Sequence, residues 1–71
     1  MKFKANDYSR GEIIKFMREW TELTQEEFAD RIGKSKPSVQ DYELGKTNYG
    51  IDVLMKIAKE FDVTITIEKR K

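Results

Sequence analysis

The sequence predicts a mainly α fold, a bundle of about four helices that ends in a short C-terminal β-strand. Three observations carry this expectation. Two S/T-x-x-E capping boxes stand ahead of amphipathic runs, two short helical segments hinge on Gly33, and the last residues alternate apolar and polar. With 71 residues the chain is one domain, too small for an enclosed catalytic cavity.

Ser9-Arg10-Gly11-Glu12 is the first capping box, so a helix should begin near Arg10. Ile13, Phe16, Met17 and Trp20 follow at i, i+3, i+4 and i+7, and Ile14 widens that stripe. Thr24 and Glu27 form the second box. The helix behind them carries Phe28, Ala29 and Ile32 inward and ends at Gly33, where a left-handed backbone is easiest. Ser35 then caps a third helix with Pro37 in its first turn, Val39 and Tyr42 facing in, and Gly45 at its end. A loop at 46–50 precedes a fourth helix from about Ile51 to Phe61, with Leu54, Ile57, Ala58 and Phe61 inward. Residues 62–68, DVTITIE, read as a half-buried strand, followed by the basic tail Lys69-Arg70-Lys71.

Helix, tight turn, helix is the arrangement with which a small domain lays a helix in the DNA major groove. The charge distribution agrees with it. Residues 12–30 hold six acids against Lys15 and Arg18, a local charge of −4, whereas 31–50 hold four bases against Asp41 and Glu43, a local +2. The basic patch thus falls on the third helix and its flanks, although the net charge is only +1. There is no cysteine or histidine, which removes disulfides and the usual zinc constellations. No glycine-rich phosphate loop is present and the carboxylates are scattered, so an enzyme is not expected, nor any cofactor or metal. No apolar run approaches the ~20 residues of a membrane span and the N-terminus lacks a signal-peptide core, so the expected location is cytoplasmic. Trp20, Phe28, Tyr42 and Phe61 could form a stacking platform for single strands, but their helical spacing favours core, with Trp20 only partly covered.

Taken together, Thr24-Gln25-Glu26-Glu27-Phe28-Ala29, the Gly33 turn, Lys34-Ser35-Lys36-Pro37-Ser38-Val39 and Glu43-Leu44-Gly45-Lys46 resemble the Cro/C1-type (XRE) helix-turn-helix domain of phage repressors and bacterial regulators. The likeness spans roughly Ile13 to Val63 and implies a lambda-repressor-like helix-turn-helix bundle. Members often carry a fifth helix; the terminal strand departs from that pattern and narrows the likeness toward HipB-like antitoxins and similar small autoregulators. Glu22 stands where the family commonly has glycine.

The resemblance implies double-stranded DNA as the partner and assigns roles by position. Lys36, Pro37, Ser38 and Asp41 face DNA in related proteins, with Gln40 nearby, and Gln25 takes the place of a phosphate-clamping glutamine. Lys34, Ser35, Lys46, Thr47 and Asn48 flank the reading helix as further phosphate candidates. Arg18 and Glu43 match positions that form a partly buried ion pair in related repressors. Asp41 is the oddity. An acid beside phosphates is costly unless it accepts from a cytosine amino group or pairs with a neighbour such as Lys36.

One such motif reads only a few base pairs, so a homodimer is expected. Its interface would include Val63, Ile65 and Ile67 of a 63–68 strand, paired across a two-fold axis or, within the monomer, with Met1–Ala5. The leading functional expectation is a sequence-specific transcriptional regulator acting as a repressor on an operator. The other is an antitoxin that neutralises a toxin protein and autoregulates its operon.

Overall fold

The structure, a computed structural model, describes residues 7–65. Four helices account for most of them: α1 (Arg10–Thr21), α2 (Gln25–Ile32), α3 (Lys36–Leu44) and α4 (Ile51–Phe61). The starts of α1, α2 and α3 have a local cause in side-chain caps, whereas Gly50 precedes α4 without one. The Ser9 amide donates to Glu12 Oε1 at 2.8 Å and the Glu12 amide to Ser9 Oγ at 3.2 Å, while Thr24 and Glu27 exchange the same two bonds at 2.9 and 3.1 Å. These contacts satisfy two orphan donors per helix and hold the Glu12 and Glu27 carboxyls below the usual carboxylate range, chiefly through the cap residue's backbone N–H. Ser35 caps α3 alone, with its Oγ accepting from the Ser38 amide at 3.2 Å.

The ends are left-handed. Gly33 (φ 72°) and Gly45 (φ 75°) adopt that conformation without a Cβ penalty, whereas Glu22 (φ 59°) and Asp62 (φ 54°) adopt it with one, on the order of 1 kcal/mol each.

The core draws one fully buried side chain from every helix: Ile14, Phe28, Val39 and Ile57. Each burial removes apolar surface worth roughly 1.5–3 kcal/mol from water. Met17, Ala29, Ile32, Tyr42 and Val53 complete it. The central stripe of α1 is therefore Gly11, Ile14 and Met17, with Ile13, Phe16 and Trp20 half-buried at its margins. In α4, Val53 lies deeper than Leu54, Ala58 or Phe61, which are half-buried. The α4 pattern is apolar over so wide an arc that spacing alone does not choose its centre.

α3 packs against both α1 and α2, and α4 packs against α2. At the first crossing Gly11 has a packing role: a Cβ there would run into the carbonyl oxygens of Glu43 and Tyr42, the latter at 2.9 Å. α1 and α3 approach at backbone distance because residue 11 has no side chain.

The C-terminal segment differs in part from the expected strand. Asp62 is the cap of α4, and the Val63 amide closes on the Ala58 carbonyl at 3.0 Å, so these two residues finish a helix. Val63–Ile65 form no sheet pairing among the described residues, and Ile67 and the Met1–Ala5 alternative lie outside them.

Candidate nucleic-acid interface

The site is built on α3 and held from beneath by one polar network. Arg18 Nε donates to Glu43 Oε2 at 2.7 Å, Nη2 donates to Oε1 at 3.2 Å, and Nη1 donates to the Leu23 carbonyl at 3.1 Å. Gln25 Nε2 adds a further bond to Glu43 Oε1 at 3.2 Å. The Glu43 carboxylate thereby ties α1 and the first residue of α2 to the last turn of α3, and the Arg18 guanidinium adds the α1–α2 turn. Glu43's side chain is only 6% exposed and Arg18's 17%, so water screens the pair weakly. The hydrogen bond to Glu43 raises the Arg18 pKa further, and the guanidinium stays charged at any working pH.

This network fixes the amide of Gln25 at the N-terminus of α2. One amide hydrogen points to Glu43; the other, together with the free backbone N–H groups of the first helical turn, is available to an anion. An open groove of about 560 Å³ beside it is lined by Gln25, Gln40, Asp41 and Lys46 as well as Lys15, Arg18, Glu43 and Leu44. Four of the DNA-facing candidates are thus brought together on one surface. Lys34, Ser35, Lys36 and Pro37 are exposed around the N-terminus of α3, and Thr47 and Asn48 are exposed just past its C-terminus.

Within α3, Val39 and Tyr42 point into the core, which turns Pro37, Gln40, Asp41 and Leu44 outward on the opposite side. Ser35 Oγ donates to Ser38 Oγ at 2.9 Å, so the Ser38 hydroxyl is partly committed to the cap. Lys36 and Asp41 form no ion pair with each other, which removes the local pairing considered for Asp41. Lys15 and Leu44 border the groove and were not singled out from the sequence. Lys15 was legible in principle, three residues before Arg18 on the same face of α1. Leu44 is a large apolar residue at the end of the helix that carries Val39 and Tyr42, and it looks like core until the helix phase is known.

A helix presented outward, with amide and hydroxyl groups at its N-terminal end and lysines around it, defines a helix-turn-helix DNA-binding domain. The helix-turn-helix family HTH_3 matches residues 14–67, and the chain belongs to it: the Cro/C1-type family of DNA-binding transcription regulators, which is not a family of enzymes. No curated protein and no solved structure matches the chain. Among the described residues no helix is long and apolar enough to cross a membrane, and no cluster of potential ligands could hold a metal ion.

Proposed function

We propose that the protein is a homodimeric, sequence-specific repressor that occupies an operator in double-stranded DNA in the cytoplasm. The observation that supports this best is the part-buried Arg18–Glu43–Gln25 network, which adds directional bonds to the apolar packing of α3 and so holds its outward side at one fixed height and angle above the core. Base readout depends on such preorganisation, because hydrogen bonds to base edges tolerate little displacement. Lys36, Pro37, Ser38, Gln40 and Asp41 face the bases, while Gln25, Lys34, Ser35, Lys46, Thr47 and Asn48 hold phosphates.

Dimerisation draws support from apolar surface left uncovered. Ile51 is 63% and Met55 57% exposed one turn apart on α4, and Ile65 is 37% exposed beyond it. Thr64 and Ile65 make no backbone hydrogen bond among the described residues, which leaves the segment free to pair with its copy. Selection of bound sequences from random duplex DNA tests the whole reading: two half-sites about one helical turn apart are expected, and no enrichment would refute it. Sedimentation of the full chain and of a form truncated after Asp62 tests the dimer, which should be lost on truncation.

A further inference from the structure

The outward side of α3 carries an unusual set of side chains for a reading surface. Leu44 is 68% exposed, the most exposed of the large apolar side chains among the described residues, and Pro37 is exposed at the other end of the same stripe. Between them lies the half-buried carboxylate of Asp41, at i+4 from Pro37 and i−3 from Leu44. Asp41 has no ion pair among the described residues and sits in the last turn of α3, where a negative charge opposes the helix dipole. Its backbone carbonyl, not its carboxylate, closes the turn by accepting from the Lys46 amide at 2.9 Å. Among the described residues nothing local compensates for these two features, a half-buried acid and an exposed leucine on a surface turned toward DNA.

Base chemistry compensates for both. The only amino donor that one base offers a carboxylate in the major groove without an adjacent acceptor is cytosine N4, and the only apolar group there is the thymine 5-methyl. We propose that α3 reads pyrimidines: Pro37 and Leu44 each cover a thymine methyl group, and Asp41 accepts from a cytosine amino group between them. This rests on the DNA-binding reading above and specifies its substrate. Seven residues of helix rise about 10 Å, or roughly three base-pair steps, so the two thymines lie about that far apart within one half-site. Guanine contact on this helix falls to Lys36, off the stripe.

Selected duplexes provide the test, using the full chain and a natural atom deletion. Replacing thymine by deoxyuridine removes only the 5-methyl group. One deoxyuridine should weaken wild-type binding about fourfold at the position under Leu44, and Leu44→Ala should lose that sensitivity while retaining its dimer. Asp41→Asn should move the preferred base at the central position from cytosine to adenine, by tenfold or more. Failure to enrich any sequence would refute the DNA-binding reading itself. An enriched half-site without these pyrimidines, equal methyl sensitivity in wild type and Leu44→Ala, or a Leu44→Ala protein that only dissociates into monomers would overturn the pyrimidine assignment alone.

Discussion

Among the described residues there are two arginine–glutamate pairs of nearly equal length, and they do different things. Arg18–Glu43 ties α1 to the last turn of α3 with side chains 17% and 6% exposed, while Arg31–Glu60 joins α2 to α4 with side chains 48% and 31% exposed. The first is surrounded by further directional contacts: the Leu23 carbonyl, the Gln25 amide and the side-chain-free crossing at Gly11. The second rests on aromatic packing, with the Arg31 guanidinium 4.8 Å from the centre of the Phe61 ring, itself stacked on Phe28 at 5.2 Å. Burial makes the difference. The inner pair specifies where α3 sits, whereas the outer pair decorates an attachment that apolar contact already secures.

The largest contrast should come from breaking the inner pair. Glu43→Ala strands a guanidinium and leaves Gln25 without its acceptor, at a cost of about 3–5 kcal/mol in chemical denaturation. Replacing both partners by apolar residues, Arg18→Met with Glu43→Leu, should recover much of that stability but not DNA affinity, because Gln25 would remain unanchored. Recovery of both would show that the network serves stability alone. Next in size is Gly11→Ala. Its Cβ meets backbone, which cannot swing aside as a side chain would, so about 1–3 kcal/mol should be lost despite alanine's better helix propensity. A melting temperature equal to wild type would mean that the crossing can open without cost.

Arg31→Ala belongs at the small end. An exposed pair is screened, so the melting temperature should fall by a few degrees at most and DNA binding should not change. Acid separates the regions more gently still. The Arg31 hydrogen bond lowers the Glu60 pKa, and the capping backbone N–H groups lower those of Glu12 and Glu27. A carboxylate held below its ordinary 4.5 in the folded state adds stability that is present above that value and lost as pH falls through the folded value. Stability should therefore be level from pH 6 to 8, where no histidine titrates, and decline below about 4.5. Burial shifts Tyr49 the other way, so a second decline begins as pH rises past 10.

Most of the fold was legible because its boundaries are written in local chemistry. Ser9, Thr24, Ser35, Gly33 and Gly45 act within three or four residues of themselves, and each cap forms where its spacing indicates. Tertiary phase was not local. Whether Ile14 or Ile13 leads α1 depends on where α3 crosses, and that crossing depends on Gly11, whose role appears only against Glu43 and Tyr42. Alternation at 62–68 looked like strand from its first residue, but Asp62 and Val63 are used to terminate α4. In the candidate site, the polar residues were proposed from their positions and Lys15 could have been added from its place beside Arg18, while Leu44 required the groove to be seen.

The most direct measurement is a salt titration of binding to a selected duplex and to a scrambled one, with wild type, Gln25→Ala and Lys36→Ala. Gln25 is neutral and, on the proposed reading, meets only the DNA backbone, so its loss should weaken both duplexes equally without changing the salt slope. Lys36→Ala should weaken the selected duplex by about 1–3 kcal/mol and erode its advantage over the scrambled one. If Lys36 held phosphate alone, both duplexes would weaken equally and the slope would drop by about one unit. Unchanged affinity in both variants, with wild type still preferring the selected duplex, would contradict the placement of α3 and its supporting glutamine at the DNA.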